Sequence, residues 1–173
     1  MVYYVLLGGN EGDVDEKMAV ALEMMNEGDG HVVCVSSIYE SPAWGYDSAL
    51  PYHNAAAKVV TPVGPFAFLS FLKHAERQLG RLTKTEPGGE YHDRPIDLDI
   101  LLCDDKVVNT ETLTIPHPKL PERRFALTPL AEIASEVYHP LLKKTILEIL
   151  TECEDTSHVS LVGNLRNLNY PTE

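Results

Sequence analysis

Hydrophobic and polar residues follow one another along this chain in blocks whose spacing predicts strands and helices. Apolar runs rich in β-branched and aromatic residues predict four strands, at residues 2–7, 31–39, 52–60 and 96–103. Apolar residues at intervals of three and four predict helices at residues 14–27, 65–79, 124–133 and 143–150. Clusters of Gly, Pro, Ser and Asp predict loops at residues 40–51 and 83–93. The first six elements therefore follow the order β-α-β-β-α-β.

This order predicts an α+β fold with a ferredoxin-like βαββαβ core, a largely antiparallel sheet, flanking helices and C-terminal additions. A length of 173 residues suits one domain, and no internal repeat or flexible linker divides it. We therefore expect a single domain over residues 1–173. Because the same arrangement occurs in enzymes, RNA-binding proteins and regulatory modules, the function must be inferred from the polar residues that interrupt the pattern.

Two aspartates, Asp97 and Asp99, interrupt the apolar run at residues 96–103. Successive side chains point to opposite faces of a strand, so both carboxylates should lie on one face. Aspartate is depleted in strands and seldom buried without a partner, so some interaction must offset the cost. Two carboxylates beside Arg94 suit Mg²⁺ bound together with substrate phosphates. The alternative is a solvated strand face with an Asp–Arg ion pair, which an isolated D-x-D motif would favour.

A second polar cluster lies in the stretch IPHPKLPERR at residues 115–124. His117 lies between two prolines, which restrict its loop, and Arg123 and Arg124 follow six and seven residues later. Such a group can bind a polyphosphate, with the arginines stabilising its spread negative charge. The residues alone equally allow an exposed basic turn whose histidine caps a helix or bonds a backbone carbonyl.

The composition narrows the classes of partner. A net charge of −12 argues against nucleic acid. Residues 73–124 nevertheless hold nine Lys or Arg against ten Asp or Glu, so an anionic ligand accompanied by a divalent cation can be received there. The sequence lacks a run of 18 apolar residues and a recognisable signal peptide, so we expect no membrane association. Three widely separated cysteines without metal-ligand spacing favour a reduced, cytoplasmic compartment.

Five stretches resemble the 6-hydroxymethyl-7,8-dihydropterin pyrophosphokinase family of folate biosynthesis. They are LLGGNEGD, SSIYESPAWG, YHNAAAKV, DRPIDLDILL and IPHPKLPERRFAL, and the similarity runs in the family's order from about residue 2 to about residue 149. The resemblance implies a ferredoxin-like fold and transfer of an intact pyrophosphoryl group from ATP to the pterin hydroxymethyl oxygen. It also implies two Mg²⁺ ions, with AMP as the second product. We expect a monomer.

The resemblance also implies roles for particular residues. Asp97 and Asp99 would hold the metal ions and would act in catalysis with Arg94 and Arg123. The pterin would be bound by Ser41, Pro42, Trp44, Tyr52, Asn54, Tyr91 and Phe125. The ATP would be bound by Lys73, Glu76, Arg81, Lys84, Arg94, Thr114, His117 and Arg123.

Some of these residues also fit simpler explanations. Without the resemblance, Trp44 and Phe125 would be assigned to the core or to a loop anchor. Glu76 and Arg81 could equally form a surface pair on a helix. The chain also departs from the family's pattern before Arg94, where Tyr91 replaces a tryptophan, and in the loop at 83–93, which we expect to act as a lid. Two other classes compete with the pyrophosphokinase: a binding module without catalysis, and a different metal-dependent transferase, such as a sugar-nucleotide enzyme.

Overall fold

A computed structural model of the chain describes residues 1–81 and 93–165. Before the gap lie strand β1 (Val2–Gly9), helix α1 (Val14–Asn26), strands β2 (His31–Val35), β3 (Ser37–Ser41) and β4 (Tyr52–Val60), and helix α2 (Pro65–Gln78). After the gap lie β5 (Asp97–Cys103), β6 (Val108–Asn109), β7 (Thr114–Ile115), the 3₁₀ helix η1 (Leu120–Glu122), α3 (Arg124–Ala134), β8 (Tyr138–His139), β9 (Lys144–Thr145), α4 (Ile146–Glu152) and β10 (Ser160–Asn164). Within these described ranges, no helix is both long enough and apolar enough to span a membrane.

The main sheet has the strand order β10-β3-β4-β1-β5, and β2 pairs with β4 beside β3. Each of these pairings is antiparallel. Helices α1 and α2 pack on one face of the sheet, and α3 and α4 pack on the other. The predicted fold, a ferredoxin-like core with a largely antiparallel sheet, flanking helices and C-terminal additions, is confirmed.

Strand β1 lies in the middle of the sheet and is buried on both faces. Tyr3, Val5 and Leu7 pack in the cluster that contains α1 and α2, whereas Tyr4 and Leu6 pack in the cluster that contains α3 and α4. A strand covered on both faces has no polar side, which explains its unbroken apolar run.

The strand predicted at residues 31–39 is in fact two strands, β2 and β3, that pair with the same partner. Ser36 separates them: its backbone N–H donates to the Ala56 carbonyl at 2.9 Å, and its hydroxyl accepts from the Ala56 N–H at 2.8 Å. A serine side chain thus replaces one backbone partner of the ladder. The loop predicted at 40–51 begins later, because Ser41 still belongs to β3.

Two other features differ from the prediction: the alternation of faces along β5 and the start of the last helix. The register between β1 and β5 shifts, so that Tyr4 lies opposite Leu102 and Val5 opposite Ile100, leaving Leu101 as an extra residue. The alternation that places Asp97 and Asp99 on one face therefore ends at Leu101, because Leu101 and Leu102 both pack in the cluster that contains α3 and α4. The last predicted helix, at 143–150, begins later, at Ile146, because residues 144 and 145 pair with β8.

Candidate active site

A cleft opens where β1, β4 and β5 approach the N-terminal end of α3. Its empty volume, which includes space open to solvent, is about 530 Å³. Its lining includes ten residues to which the sequence assigned a role: Ser41, Pro42, Trp44, Tyr52, Asn54, Arg94, Asp97, Asp99, Arg123 and Phe125. Three lining residues, Leu6, Gly8 and Tyr46, were not predicted. The structure therefore brings six of the seven predicted pterin residues and the aspartate pair into one cavity; the seventh, Tyr91, lies outside the described residues.

Asn54 is the buried amide of this cleft. Its side chain donates to the Ser41 hydroxyl at 3.0 Å, and only 1% of the residue is exposed. Gly8 lies opposite Asn54 in the sheet, and a Cβ on Gly8 would lie 2.8 Å from the Asn54 Oδ1. Glycine at this position leaves room for the amide, which is oriented by Ser41 in the ligand-free protein.

Two pairs of aromatic rings form walls of the cleft. The ring centroids of Trp44 and Phe125 are 6.4 Å apart, and the Arg123 guanidinium lies 4.8 Å from the Trp44 ring centroid. Tyr46 and Tyr52 meet edge to face, and their hydroxyl oxygens are 2.6 Å apart. Aromatic faces together with a buried amide suit a flat heterocycle with a polar edge.

The two adjacent arginines at the start of α3 have different surroundings. Arg123 lines the cleft, and its Nε is a buried atom without a hydrogen-bond partner among the described residues. Arg124 is turned away: its backbone N–H donates to the Asp155 carboxylate at 3.1 Å, and its Nη2 donates to the Cys153 carbonyl at 3.1 Å. The expectation that both arginines bind polyphosphate is therefore corrected, because Arg124 ties α3 to the C-terminal segment.

Asp97 is surrounded by cations. Its carboxylate accepts from Arg94 at 2.6 Å and from Arg81, and the Lys73 ammonium lies 3.9 Å away. Burial opposes ionisation, but the charges of Arg81, Lys73 and Arg94 outweigh it and lower the pKa of the Asp97 carboxyl to about 2. The Asp–Arg pair considered as an alternative is therefore present, but within the cleft and not on a solvated face.

Asp99 differs from its neighbour, because its carboxylate makes no hydrogen bond or salt bridge with any other residue in the described parts of the chain. It lines the cleft with Asp97. No group of three or more His, Cys, Asp or Glu residues that could hold a metal ion occurs within residues 1–81 and 93–165. Mg²⁺, however, commonly takes one or two carboxylates and completes its shell with water and substrate phosphates. The two aspartates fit that donor set.

Glu76 is buried in α2 beside the aspartates, with 3% of the residue exposed. Its Oε1 accepts from the Leu98 N–H and from Lys73, both at 2.8 Å, and its Oε2 lies 3.0 Å from Arg81. Burial raises the pKa of Glu76, although Lys73 opposes the shift. The surface-pair explanation for Glu76 and Arg81 is wrong, because Glu76 fixes the edge of β5 and aligns the cations that face Asp97.

His117 and Thr114 lie outside the lining of the cleft. The His117 Nδ1 accepts from the Lys119 N–H at 3.2 Å in the turn before η1, but this bond does not cap the helix. Burial lowers the pKa of His117, while Asp99 opposes the shift. Thr114 belongs to β7. Two further predicted residues, Lys84 and Tyr91, lie outside the described residues. So does the rest of the expected lid at residues 83–93, except for Asp93.

A polar network beside the cleft was not predicted from the sequence. The Asp93 Oδ1 accepts from the Asn10 side chain and the Ser48 hydroxyl, both at 2.7 Å, and from the Tyr46 hydroxyl at 3.1 Å. The three donors lie 45, 47 and 83 residues from Asp93 along the chain, so no local spacing in the sequence indicates these contacts.

Comparisons with known proteins identify the family of this chain. The model of 7,8-dihydro-6-hydroxymethylpterin-pyrophosphokinase (HPPK) matches residues 4–135. A Porphyromonas gingivalis protein named 2-amino-4-hydroxy-6-hydroxymethyldihydropteridine pyrophosphokinase is 39% identical over 135 residues, covering 77% of this chain and 90% of that protein. A protein of the same name from Aquifex aeolicus is 36% identical over 149 residues, covering 86% of this chain and 90% of that one.

A solved structure has the same fold. The crystal structure of Plasmodium falciparum HPPK-DHPS with pteroate superposes with a TM-score of 0.69 at 15% identity, which is a likeness of fold alone. The match covers 87% of this chain but only 44% of that longer chain. With the family match over most of the sequence, these findings show that the chain belongs to the HPPK family, the pyrophosphokinases of folate synthesis.

Proposed function

We propose that this pyrophosphokinase transfers the pyrophosphoryl group of ATP to the hydroxymethyl oxygen of 6-hydroxymethyl-7,8-dihydropterin and releases AMP, with Mg²⁺ as cofactor. The observation that carries the proposal is the single cleft in which Asn54 and the aromatic rings face the same space as Asp97 and Asp99. A heterocycle bound by the former presents its substituent to the latter. Proximity of this kind is a large part of catalysis in phosphoryl transfer.

On the pterin side, the proposed contacts follow from chemistry. The Asn54 amide, oriented by Ser41, can both donate to and accept from the polar edge of the heterocycle. Trp44 and Phe125 offer faces for stacking, with Pro42 and Tyr52 completing the walls. Tyr91 remains a proposed stacking residue on the basis of the resemblance.

Asp97 and Asp99 are the residues proposed to hold two Mg²⁺ ions. Bound metal would neutralise phosphate charge and align the attacking hydroxyl. The Asp99 carboxylate has no partner within residues 1–81 and 93–165, whereas Asp97 is held by its cations. This asymmetry keeps one carboxylate of the pair available for a divalent ion in the ligand-free protein.

The phosphate chain is proposed to lie against the cations around the aspartates. Arg94 and Arg123 line the cleft, and the Arg123 Nε, which has no hydrogen-bond partner in the part of the chain that the structure describes, suits an anionic oxygen. Lys73 and Arg81 approach from α2 and its end, held by Glu76. Roles for Lys84, Thr114 and His117 in ATP binding, and a direct contact by Glu76, rest on the resemblance.

We further propose that the chain acts as a single-domain monomer in the cytoplasm and does not bind nucleic acid. Its three cysteines are buried free thiols, which suits a reducing compartment. The net charge of −12 disfavours a polyanionic partner.

Product analysis tests the reaction. The protein is incubated with ATP, Mg²⁺ and 6-hydroxymethyl-7,8-dihydropterin, and nucleotides are separated by chromatography. We expect AMP in equal amount to the pterin diphosphate formed, and no AMP with 6-methyl-7,8-dihydropterin, which lacks the acceptor oxygen. ADP as the product would indicate an ordinary kinase, and absence of transfer would indicate a binding module; either result would overturn the proposal.

A further inference from the structure

One carboxylate oxygen of Asp93 connects the segment before β5 to two other segments of the chain. Its Oδ1 accepts from Asn10, in the turn after β1, and from Ser48 and Tyr46, in the loop between β3 and β4. The three distances are 2.7, 2.7 and 3.1 Å. Hydrogen bonds to an ionised acceptor are stronger than neutral ones. The carboxylate therefore holds the β3–β4 loop against the residues that precede β5.

Asn10 provides a fixed point for this contact. It is buried, its backbone N–H donates to the Arg94 carbonyl at 3.0 Å, and its Oδ1 accepts from the Arg94 N–H at 2.9 Å. The main chain of Arg94 is thus bound to the end of β1 independently of the Asp93 side chain. The Asn10 side chain also donates to the Ser48 hydroxyl at 3.3 Å and to the Leu50 carbonyl at 3.4 Å. Loss of the Asp93 carboxylate should therefore loosen the loop around Tyr46 and leave Arg94 in place.

The loop held by Asp93 carries three residues of the cleft, Pro42, Trp44 and Tyr46. The Tyr46 hydroxyl is shared between Asp93 and the Tyr52 hydroxyl, 2.6 Å away. Most of the loop between Ser41 and Tyr52 is exposed or half-buried, so few apolar contacts order it. Ordering such a segment on binding would weaken the apparent affinity for a ligand.

We propose that Asp93 is a positioning residue for the pterin, which holds Trp44 and Tyr46 in the arrangement that binds substrate before substrate arrives. Asp93 itself does not line the cleft. The inference rests on the proposed function, because it assigns the wall formed by these rings to the pterin and not to the nucleotide.

The kinetic test compares Asp93→Ala and Asp93→Asn with Asp47→Ala. Asp47 is an exposed carboxylate in the same loop and serves as the matched control. If the competent loop population falls to about one tenth, the pterin KM rises about tenfold while kcat at saturation stays within about twofold. The KM for ATP should change little, because Asn10 still holds Arg94. Asp93→Asn, which keeps a neutral acceptor, should lie between wild type and Asp93→Ala, and Asp47→Ala should match wild type.

A second measurement needs no ligand. Trp44 is the only tryptophan in the chain, so fluorescence excited at wavelengths that tryptophan absorbs and tyrosine does not reports on this loop. Acrylamide quenching of Trp44 should increase in Asp93→Ala and should not change in Asp47→Ala. Should Asp93→Ala fail to fold, Ser48→Ala removes one donor of the same network and should shift both quantities in the same direction by less.

The outcomes separate the two proposals. Unchanged quenching together with an unchanged pterin KM would overturn the role of Asp93. A fall in kcat together with similar rises in the KM values for pterin and ATP and a lower melting temperature would also overturn this role, because that pattern indicates general destabilisation. Wild-type protein that forms no AMP would overturn the proposed function instead, and the quenching comparison would still decide whether Asp93 orders the loop.

Discussion

Asp97 and Asp99 should respond differently when each is neutralised in the ligand-free protein. From the sequence alone, we expect repulsion between two metal-binding carboxylates, so that either substitution leaves stability equal or slightly higher. In the structure only the Asp99 carboxylate of this pair lacks a hydrogen-bond or salt-bridge partner among the described residues. Asp97 is bound by Arg81 and Arg94 with Lys73 nearby, so Asp97→Asn removes a favourable interaction and leaves cations facing one another.

The magnitude follows from the pKa of Asp97. A decrease from the ordinary 3.8 to about 2 corresponds to roughly 2 kcal/mol of stability. Because the folded pKa is the lower one, this stability is fully present above the unfolded pKa and is lost only as the pH falls through the folded value. At neutral pH we therefore expect Asp97→Asn to cost about 2 kcal/mol, or roughly 4–8 °C in Tm for a domain of this size. Asp99→Asn should stay within about 0.5 kcal/mol of wild type.

The assay is thermal unfolding in buffer containing EDTA, with Asp105→Asn as an exposed control in the turn after β5. The same melts are repeated with Mg²⁺ and a non-hydrolysable ATP analogue. Wild type should gain stability, whereas both aspartate variants should lose most of the gain, since stabilisation follows occupancy. AMP release should fall on the order of 100-fold or more in both.

Two results would refute this reasoning. If Asp97→Asn melts with wild type while Asp99→Asn melts lower, the cations do not stabilise Asp97. If both variants keep wild-type turnover, the aspartates do not hold the metal.

Three further predictions concern other parts of the chain. Asn54→Ala should weaken pterin binding by about 1–3 kcal/mol and leave affinity for an ATP analogue unchanged; titration calorimetry with each ligand checks this, and the reverse pattern would show that the pocket is misassigned. Glu76→Ala should leave the Leu98 N–H without its partner at the edge of β5 and lower stability by about 2–4 kcal/mol in urea unfolding; a loss below about 0.5 kcal/mol would contradict the role of that carboxylate. Burial lowers the pKa of His139, so its neutral form stabilises the fold above the unfolded pKa of about 6.5, and this contribution is lost as the pH falls below it. His139→Gln should therefore flatten the decline in Tm between about pH 7.5 and 5, and an unchanged slope would count against this source of acid sensitivity.

The periodic part of the fold could be predicted because burial imposes a period on the sequence. Strand β4 has the predicted bounds, since its ends coincide with turn-forming residues. The break at Ser36 was missed because a serine that substitutes for a backbone group leaves the apolar pattern on either side intact. The bulge at Leu101 was missed for a similar reason, since apolar residues on both sides hide a change of face.

The site was predictable where a residue type is costly without a function, as for Asp97 and Asp99 in a strand. The site was not predictable where the role of a residue depends on the direction in which its side chain points. Arg123 and Arg124 are identical in type and adjacent in sequence, yet only the first faces the cleft, because the second binds Asp155. Asp93 belongs to the same category, since its partners are distant in the chain.

The two explanations first offered for Asp97, a metal ligand or a partner of Arg94, are compatible once the surrounding charges are considered. Arg81, Arg94 and Lys73 are the same cations that we propose to receive phosphate, and in the ligand-free protein they face the Asp97 carboxylate. Without Asp97 and Glu76, these like charges would repel one another in a poorly solvated site. The carboxylates therefore keep the cations in place while the site is empty. On the proposed function, a metal-bound polyphosphate would bring a cation for Asp97 and Asp99 and anionic oxygens for the arginines, so that Asp97 and its cations would exchange one partner for another and Asp99 would gain one.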